Sequence, residues 1–423
     1  MPDWFTAALA TLPGWLWIYG IVGLPYALLL VPRHTWRSVG QLALLTLACG
    51  SALLTACMFV LGTFSDGRMT LPAILGVTGV LALIGWWLVW RKARTSPPAP
   101  PVPRRAFDFD ERVIVLLIAA ACILRALTSV YWVFTEYDPL WVYGYQGRLF
   151  ALRALIPSDI GYYPPFVSLH YAFAQLAAQP LLGGTLINDH AARSALAFWH
   201  VGSVLAAYML GERLFGRRVG IYAAGIWVLY PHVGLWAHSG DLEIPLTFAF
   251  TGAAAYFLSA WLGTVQHDRR RAAALAGLFL GIALWTKPTA GAFILGVALL
   301  SAIEAVRVLR ASSDLRGAWL ALRPRLEVVV ITALMCLPLG GIWYVRNLMY
   351  GFPAITLPNP FWLTQALQSG AEFGWLLLAL VLVLLRVFTL PAPRPARPPL
   401  LIGAGLVALG IIPTILVQYD APG

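Results

Sequence analysis

Apolar stretches long enough to cross a bilayer recur along this chain, at about 11–31, 38–60, 71–90 and 113–133 in its N-terminal part. A span takes roughly 20 mainly apolar residues. Backbone in hydrocarbon must satisfy its own hydrogen bonds, so runs of this length are helices. Composition agrees. Of 423 residues, 60% are hydrophobic and 11% charged, with a mean hydropathy of +0.77, whereas soluble domains carry about 25% charged residues. The chain is predicted to be an all-α polytopic membrane protein, and a large soluble core is disfavoured.

The net charge of +11 would suggest nucleic acid in a soluble protein. Here the basic residues gather in short blocks between apolar runs, as cytoplasmic loops do, where they also meet anionic lipid heads. No aromatic-basic platform or zinc spacing supports nucleic-acid binding. Cys49, Cys57, Cys122 and Cys336 each lie in an apolar run and read as small buried hydrophobes. The N-terminus lacks a basic start and a clear cleavage site, so the first span is expected to stay.

Charge also sets a topology. The linker "RKARTSPPAPPVPRRAFDFDER" is basic and proline-rich, which makes it a cytoplasmic boundary. The span after it then delivers Glu136 and Asp138 to the opposite side. "QHDRRR" at 266–271, the segment 307–325 and "RPARPP" at 394–399 are expected inside. Spans at about 242–262, 326–343, 373–390 and 399–417, with an outward hairpin of helices at about 272–286 and 289–306, fit this scheme. It places Asp241, Glu243, Lys287 and Arg346 on the side of Asp138. One region conflicts: 166–182 and 194–210 both look long enough to cross, yet two crossings would put the basic "GERLFGRR" outside.

Four stretches on the outer side carry the chemistry. In "FTEYDPLWVYGYQGRLF", Glu136 and Asp138 sit among aromatics. A carboxylate there accepts a proton from an acceptor hydroxyl held in place; the competing role is helix capping. In "HVGLWAHSGDLEIPLTF", Asp241 and Glu243 follow His238. With Asp138 they offer oxygen ligands to a divalent ion such as Mg2+ or Mn2+, although the spacing is no metal motif and Asp241 also suits a cap. In "GIALWTKPTAG", Lys287 interrupts an apolar run, either snorkelling to lipid heads or aimed at a substrate phosphate. In "GGIWYVRNLMYGFP", Arg346 offers a fork for phosphate or an interface anchor. Arg148 and Arg153 are further phosphate candidates. Tyr162, Tyr163 and His170 are candidates for an acceptor pocket, with His238 beside it. Acids and cations on one membrane face suit sugar transfer from a lipid phosphate to a hydroxyl. A one-step displacement would invert the anomeric centre.

At these residues the chain resembles the membrane glycosyltransferases of the C superfamily, especially the family 39-like enzymes, which include protein O-mannosyltransferases and bacterial aminoarabinose transferases. The resemblance rests on "EYDPLWVYGYQGRLF", "YYPPFVSLHYAFAQLA", "YMLGERLFGRRVGIYAAGIWVLYP", "GDLEIPLTFAFTGAAAY", "LAGLFLGIALWTKPTAG" and "WYVRNLMYGFP", in that order over roughly residues 113–365. It implies a bundle of about 11–13 transmembrane helices with an extracytoplasmic first catalytic loop. It implies a polyprenyl-phosphate sugar donor and transfer at the outer face, to a glycan, lipid or protein acceptor. The family's first-loop catalytic aspartate matches Asp138, with Glu136 nearby; its second acidic site matches Asp241, with Glu243. Its lysine matches Lys287 and its "WYxRN" arginine matches Arg346. Metal use varies across the superfamily.

The chain departs from the pattern by three spans before the family's first one and by lacking a large C-terminal soluble domain. The expected organisation is an additional N-terminal membrane region at 1–92, a cytoplasmic linker at 93–112, a catalytic membrane core at 113–365 and C-terminal helices at 366–423. The expected setting is a multi-pass protein of a prokaryotic cell membrane. The alternative function is a lipid or glycolipid transporter that selects a head group with the same charges.

Overall fold

The computed structural model describes residues 3–65, 67–95, 106–161, 163–183, 187–351 and 382, and every regular element among them is helical. The expected span at 399–417, the expected span at 373–390 apart from residue 382, the basic 394–399 stretch and residues 96–105 of the proline-rich linker lie outside the described residues.

The first span runs through α1 (Asp3–Trp15), a π-helical stretch (Leu16–Gly23) and α2 (Leu24–Leu30). Then come α3 (Val39–Phe64), α4 (Leu71–Thr95) and α5 (Phe109–Tyr131). A short π-helical turn (Pro139–Tyr143) leads into α6 (Gly144–Arg153) and α7 (Phe166–Leu182). The chain continues through α8 (Asp189–Arg193), α9 (Ala195–Phe215), α10 (Arg217–Leu229), α11 (Pro231–Ser239) and α12 (Glu243–Leu262). The described part closes with α13 (Gln266–Thr286), α14 (Gly291–Ala311), α15 (Leu315–Gly340) and α16 (Ile342–Met349). Among the described residues seven helices are long and apolar enough to span a membrane. The number rises to nine if the bent pairs α10–α11 (65°) and α15–α16 (50°) each count as one span. The protein is a polytopic helical membrane protein.

Polar contacts at the two ends of α5 fix the direction of its neighbours. At its start Asp108 and Glu111 form a reciprocal capping box, which satisfies amides that no helical carbonyl reaches. Glu111 also takes a 2.6 Å bond from Arg217, and Asp110 takes one of 2.7 Å from Arg218. At its other end the Ser129 carbonyl accepts from Arg193 (2.7 Å), and the Val130 carbonyl lies 2.8 Å from the His190 ring. The α8–α9 segment therefore runs antiparallel to α5. The α10–α11 pair returns, because Arg193 also donates to the carbonyls of His238 and Ser239. One end of the bundle is basic; the other carries Asp138 and Asp241.

These contacts resolve the conflict between 166–182 and 194–210. Arg148, before α7, forms a bidentate pair with Asp189, after it, at 2.6 Å. Ser168 near the start of α7 bonds to Gln146 of α6, and Gln175, midway along α7, accepts from the Asn188 amide. The two flanks of α7 thus meet at the acidic end, and among the described residues α9, but not α7, belongs to a helix long and apolar enough to span a membrane. The "GERLFGRR" block stays at the basic end, as its charge requires.

The N-terminal spans share the core of the rest. Trp15 donates to Ser194 at 2.8 Å, and Phe59 sets its edge against Trp285 and Trp343. Helices α13 and α15 approach closely through small residues: a Cβ on Gly277 would collide with the Thr332 carbonyl and with the Met335 side chain. Small residues allow such contact where lipid gives no hydrophobic drive for association.

Candidate active site

The turn between α11 and α12 begins at Gly240, whose φ of +94° suits glycine. A Cβ there would meet the Phe134 ring at 2.9 Å. The Gly240 carbonyl accepts from the Tyr171 hydroxyl at 2.6 Å, Phe134 leans on Tyr171, and the Arg193 guanidinium lies over Phe134. Phe134 thus fastens the first loop to this turn. Four residues later comes Asp138; one residue after Gly240 comes Asp241.

Lys287 enters from the other side. Pro288 disfavours helical backbone at the residue before it. Lys287 is accordingly extended (φ −154°, ψ 136°) and ends α13. Its Nζ lies 2.9 Å from Oε1 of Glu243, at the start of α12. Expected to pair with phosphate or lipid, Lys287 instead holds Glu243 in this structure.

The charges feel one another. Burial pushes the Asp241 carboxyl up to about 7, with Glu243 and Asp138 adding to the rise and Ser239 and Lys287 opposing it. Partial removal from water raises Asp138; Lys287 pulls it back and Glu243 pushes it up. Burial disfavours charge on Lys287, but Glu243, Asp241 and Asp138 together hold its ammonium above the ordinary range. Neither acid caps a helix: Asp138 makes no side-chain bond to the π-helical turn it precedes, and α12 starts from Leu242 without a side-chain cap. Capping therefore does not account for them.

The other expected residues are placed differently. Glu136 is exposed and acts electrostatically on His238. Arg148 is held by Asp189, so a phosphate would have to displace that carboxylate. Arg153 is exposed and lines a cavity of about 350 Å³ with Trp141, Tyr145, Gln146 and Asp159. Arg346 is buried between Trp343 and Tyr350 and donates to the Pro157 carbonyl at 2.7 Å, tying α16 to the first loop. His170 is fully buried among Trp15, Phe166 and Trp199. The His238 ring lies edge-on to Trp132. Tyr163 meets Tyr143 edge to face at 5.4 Å; Tyr162 lies outside the described residues. Among the described residues no three His, Cys, Asp or Glu side chains are gathered so as to hold a metal ion. Of the three acids expected to offer ligands to an ion, Glu243 is paired with Lys287 in this structure.

Sequence reasoning missed Tyr143 and Arg193. Tyr143 faces the acids, and burial, then Tyr163, hold its phenol well above its ordinary range. Only its place in the aromatic run after Asp138 hinted at it. Arg193 is fully buried and bonds three backbone carbonyls.

Beside the ion pair, α13, α14 and α15 enclose an almost wholly apolar cavity of about 420 Å³. Pro288, next to Lys287, lines it with Leu284, Ile294, Val297, Leu337 and Tyr344.

Residues 171–338 match the model of the dolichyl-phosphate-mannose-protein mannosyltransferase family. The match covers about two fifths of the chain and is to a family of C-type glycosyltransferases. It runs from α7 into α15 and contains Asp241, Glu243 and Lys287, while Asp138 and Arg346 flank it. No curated protein shows significant similarity to the chain. The match supports a glycosyltransferase of the mannosyltransferase type, here in a multi-pass membrane protein.

Proposed function

We propose that the protein transfers a sugar from a polyprenyl-phosphate donor to an acceptor hydroxyl at the extracytoplasmic face of a prokaryotic cell membrane. The observation that carries this reading is the convergence of Asp138, Asp241 and Glu243 with Lys287. The acidic end lies opposite the basic Arg217–Arg218 end, which suits the cytoplasm. The family match over 171–338 supports the same class of reaction.

In this reading the polyprenyl chain lies in the apolar cavity beside Pro288. Lys287 exchanges Glu243 for the donor phosphate and neutralises charge as the phosphate leaves. Asp138, whose raised pKa makes it a stronger base, takes the proton from the acceptor hydroxyl. The acceptor oxygen bonds to the anomeric carbon, the bond from that carbon to the phosphate oxygen breaks with its electron pair going to phosphate, and the centre inverts. Asp241, whose carboxyl is pushed up to about 7, donates a hydrogen bond to the sugar or phosphate in its protonated form. Arg346 keeps the first loop in place through Pro157. The cavity at Arg153 and Asp159 serves the acceptor.

Purified protein in detergent, given radiolabelled polyprenyl-phosphate sugars and candidate acceptors, tests this directly. Turnover without a sealed membrane is expected, with an inverted product by NMR. Movement of lipid across a bilayer with no bond cleavage would identify a transporter instead.

A further inference from the structure

Helix α5 carries an arginine in its apolar span. Arg125 lies six residues before Tyr131, about 9 Å inside the acidic end at 1.5 Å per residue. Among the described residues no carboxylate pairs with it, and its Nη1 is buried without a partner. Charged side chains inside membranes normally pair or mark a ligand path. A second orphan stands close by. His200 of α9, a helix that packs against α5, is 2% exposed, and among the described residues neither ring nitrogen has a partner; it lies within electrostatic reach of Arg125. Buried polar groups are rarely left unpaired, so two together call for a shared partner.

The backbone of α11 lies close against the guanidinium there. Tyr230 separates α10 from α11, and the axis turns by 65° at that break. Gly234, in the first turns of α11, faces the guanidinium: a Cβ at that position would stand 3.1 Å from Arg125 Nη2. The surface outside is apolar, since Ile123, Leu124 and Leu127 of α5 are exposed. Arg125 itself is half-buried.

We propose that Arg125 and His200 form an anion site, separate from Lys287, that takes the phosphate of a lipid entering from the bilayer at the α10–α11 break. The guanidinium supplies a forked pair of donors and the imidazole a third, while the lipid chains lie along α5. The Lys287 site lies between α12 and α13, so the inference stands whether or not sugar transfer is confirmed there.

Native mass spectrometry of the detergent-purified full chain tests it, with phosphatidylglycerol titrated in one arm and undecaprenyl phosphate in the other. Wild-type protein is expected to retain one more phosphatidylglycerol than Arg125→Gln, with at least a tenfold loss of affinity in the variant. Phosphatidylglycerol is expected to raise the melting temperature of the wild type only. Without lipid, Arg125→Gln is expected to melt no lower than wild type, because it removes an unpaired buried charge. His200→Gln provides the same comparison should Arg125→Gln fail to fold. Loss of undecaprenyl phosphate alone would keep the site and assign it to lipid-linked phosphate. Wild-type retention of both lipids and an unchanged melting response in the variants would overturn the proposal.

Discussion

Replacing Asp241 with asparagine removes one titration and leaves the shape of the side chain nearly intact. Asp241 is 7% exposed, and its carboxyl is pushed from the ordinary 3.8 up to about 7. Burial favours the neutral form, so the folded state binds this proton more tightly than the unfolded state. The resulting stability is complete below about pH 4. It fades as pH rises, because the unfolded carboxyl ionises first, and it is gone above about pH 7. The folded protein holds the proton about a thousandfold more tightly, and each factor of ten is worth about 1.4 kcal/mol, so the window holds on the order of 4 kcal/mol. Other carboxylates titrate in the same range, so the readout is the difference between wild type and Asp241→Asn. Unfolding in detergent is measured at intervals from pH 4 to 8. The variant should gain on wild type steadily through the window and level off above it. A difference that stays constant across the range would refute the buried, acid-crowded setting of Asp241.

Three further outcomes follow from the geometry. Asp138→Asn should leave insertion and fold unchanged and slow transfer by about 10²–10⁴-fold, the usual range for losing a general base; near-parental turnover in the purified variant would remove Asp138 from that role. Lys287→Met leaves Glu243 without its partner in a half-buried setting. It should cost about 1–3 kcal/mol of stability and move the Asp241 window to higher pH; an unmoved window would separate Lys287 from the acids. Arg346→Ala removes the bond to the Pro157 carbonyl, so amide exchange over 154–160 should quicken about tenfold, and exchange at the wild-type rate would contradict the tie between α16 and the first loop.

Much of this was legible from charge and apolar length. The first four spans, the hairpin at Lys287 and the grouping of Asp138, Asp241, Glu243 and Lys287 at one end follow from where basic blocks interrupt oily runs. The same reasoning stopped where a side chain's partner lies far along the chain. Nothing local in "GYQGRLF" says that Arg148 meets Asp189, and that pair is what joins the two flanks of α7. The apolar run of α7 is nearly long enough for a span, so its length alone misleads. His170 reads as a polar residue near a loop, but its aromatic neighbours come from α1, α7 and α9. The Lys287–Glu243 pair, 44 residues apart, was visible only as a shared side. Asp189 and Arg193, which anchor the first loop and the α11–α12 turn, sit in a short polar stretch that gives no sign of burial.

Transfer at one site requires the first loop and the α11–α12 turn to face the same side of the membrane. Single cysteines placed by Glu136→Cys, Glu243→Cys and Leu315→Cys, in a background with Cys49, Cys57, Cys122 and Cys336 replaced, can be probed with a membrane-impermeant maleimide added from outside. The first two positions should react and the third only after the membrane is opened. Labelling of Glu136→Cys and Glu243→Cys from opposite faces would contradict a shared site.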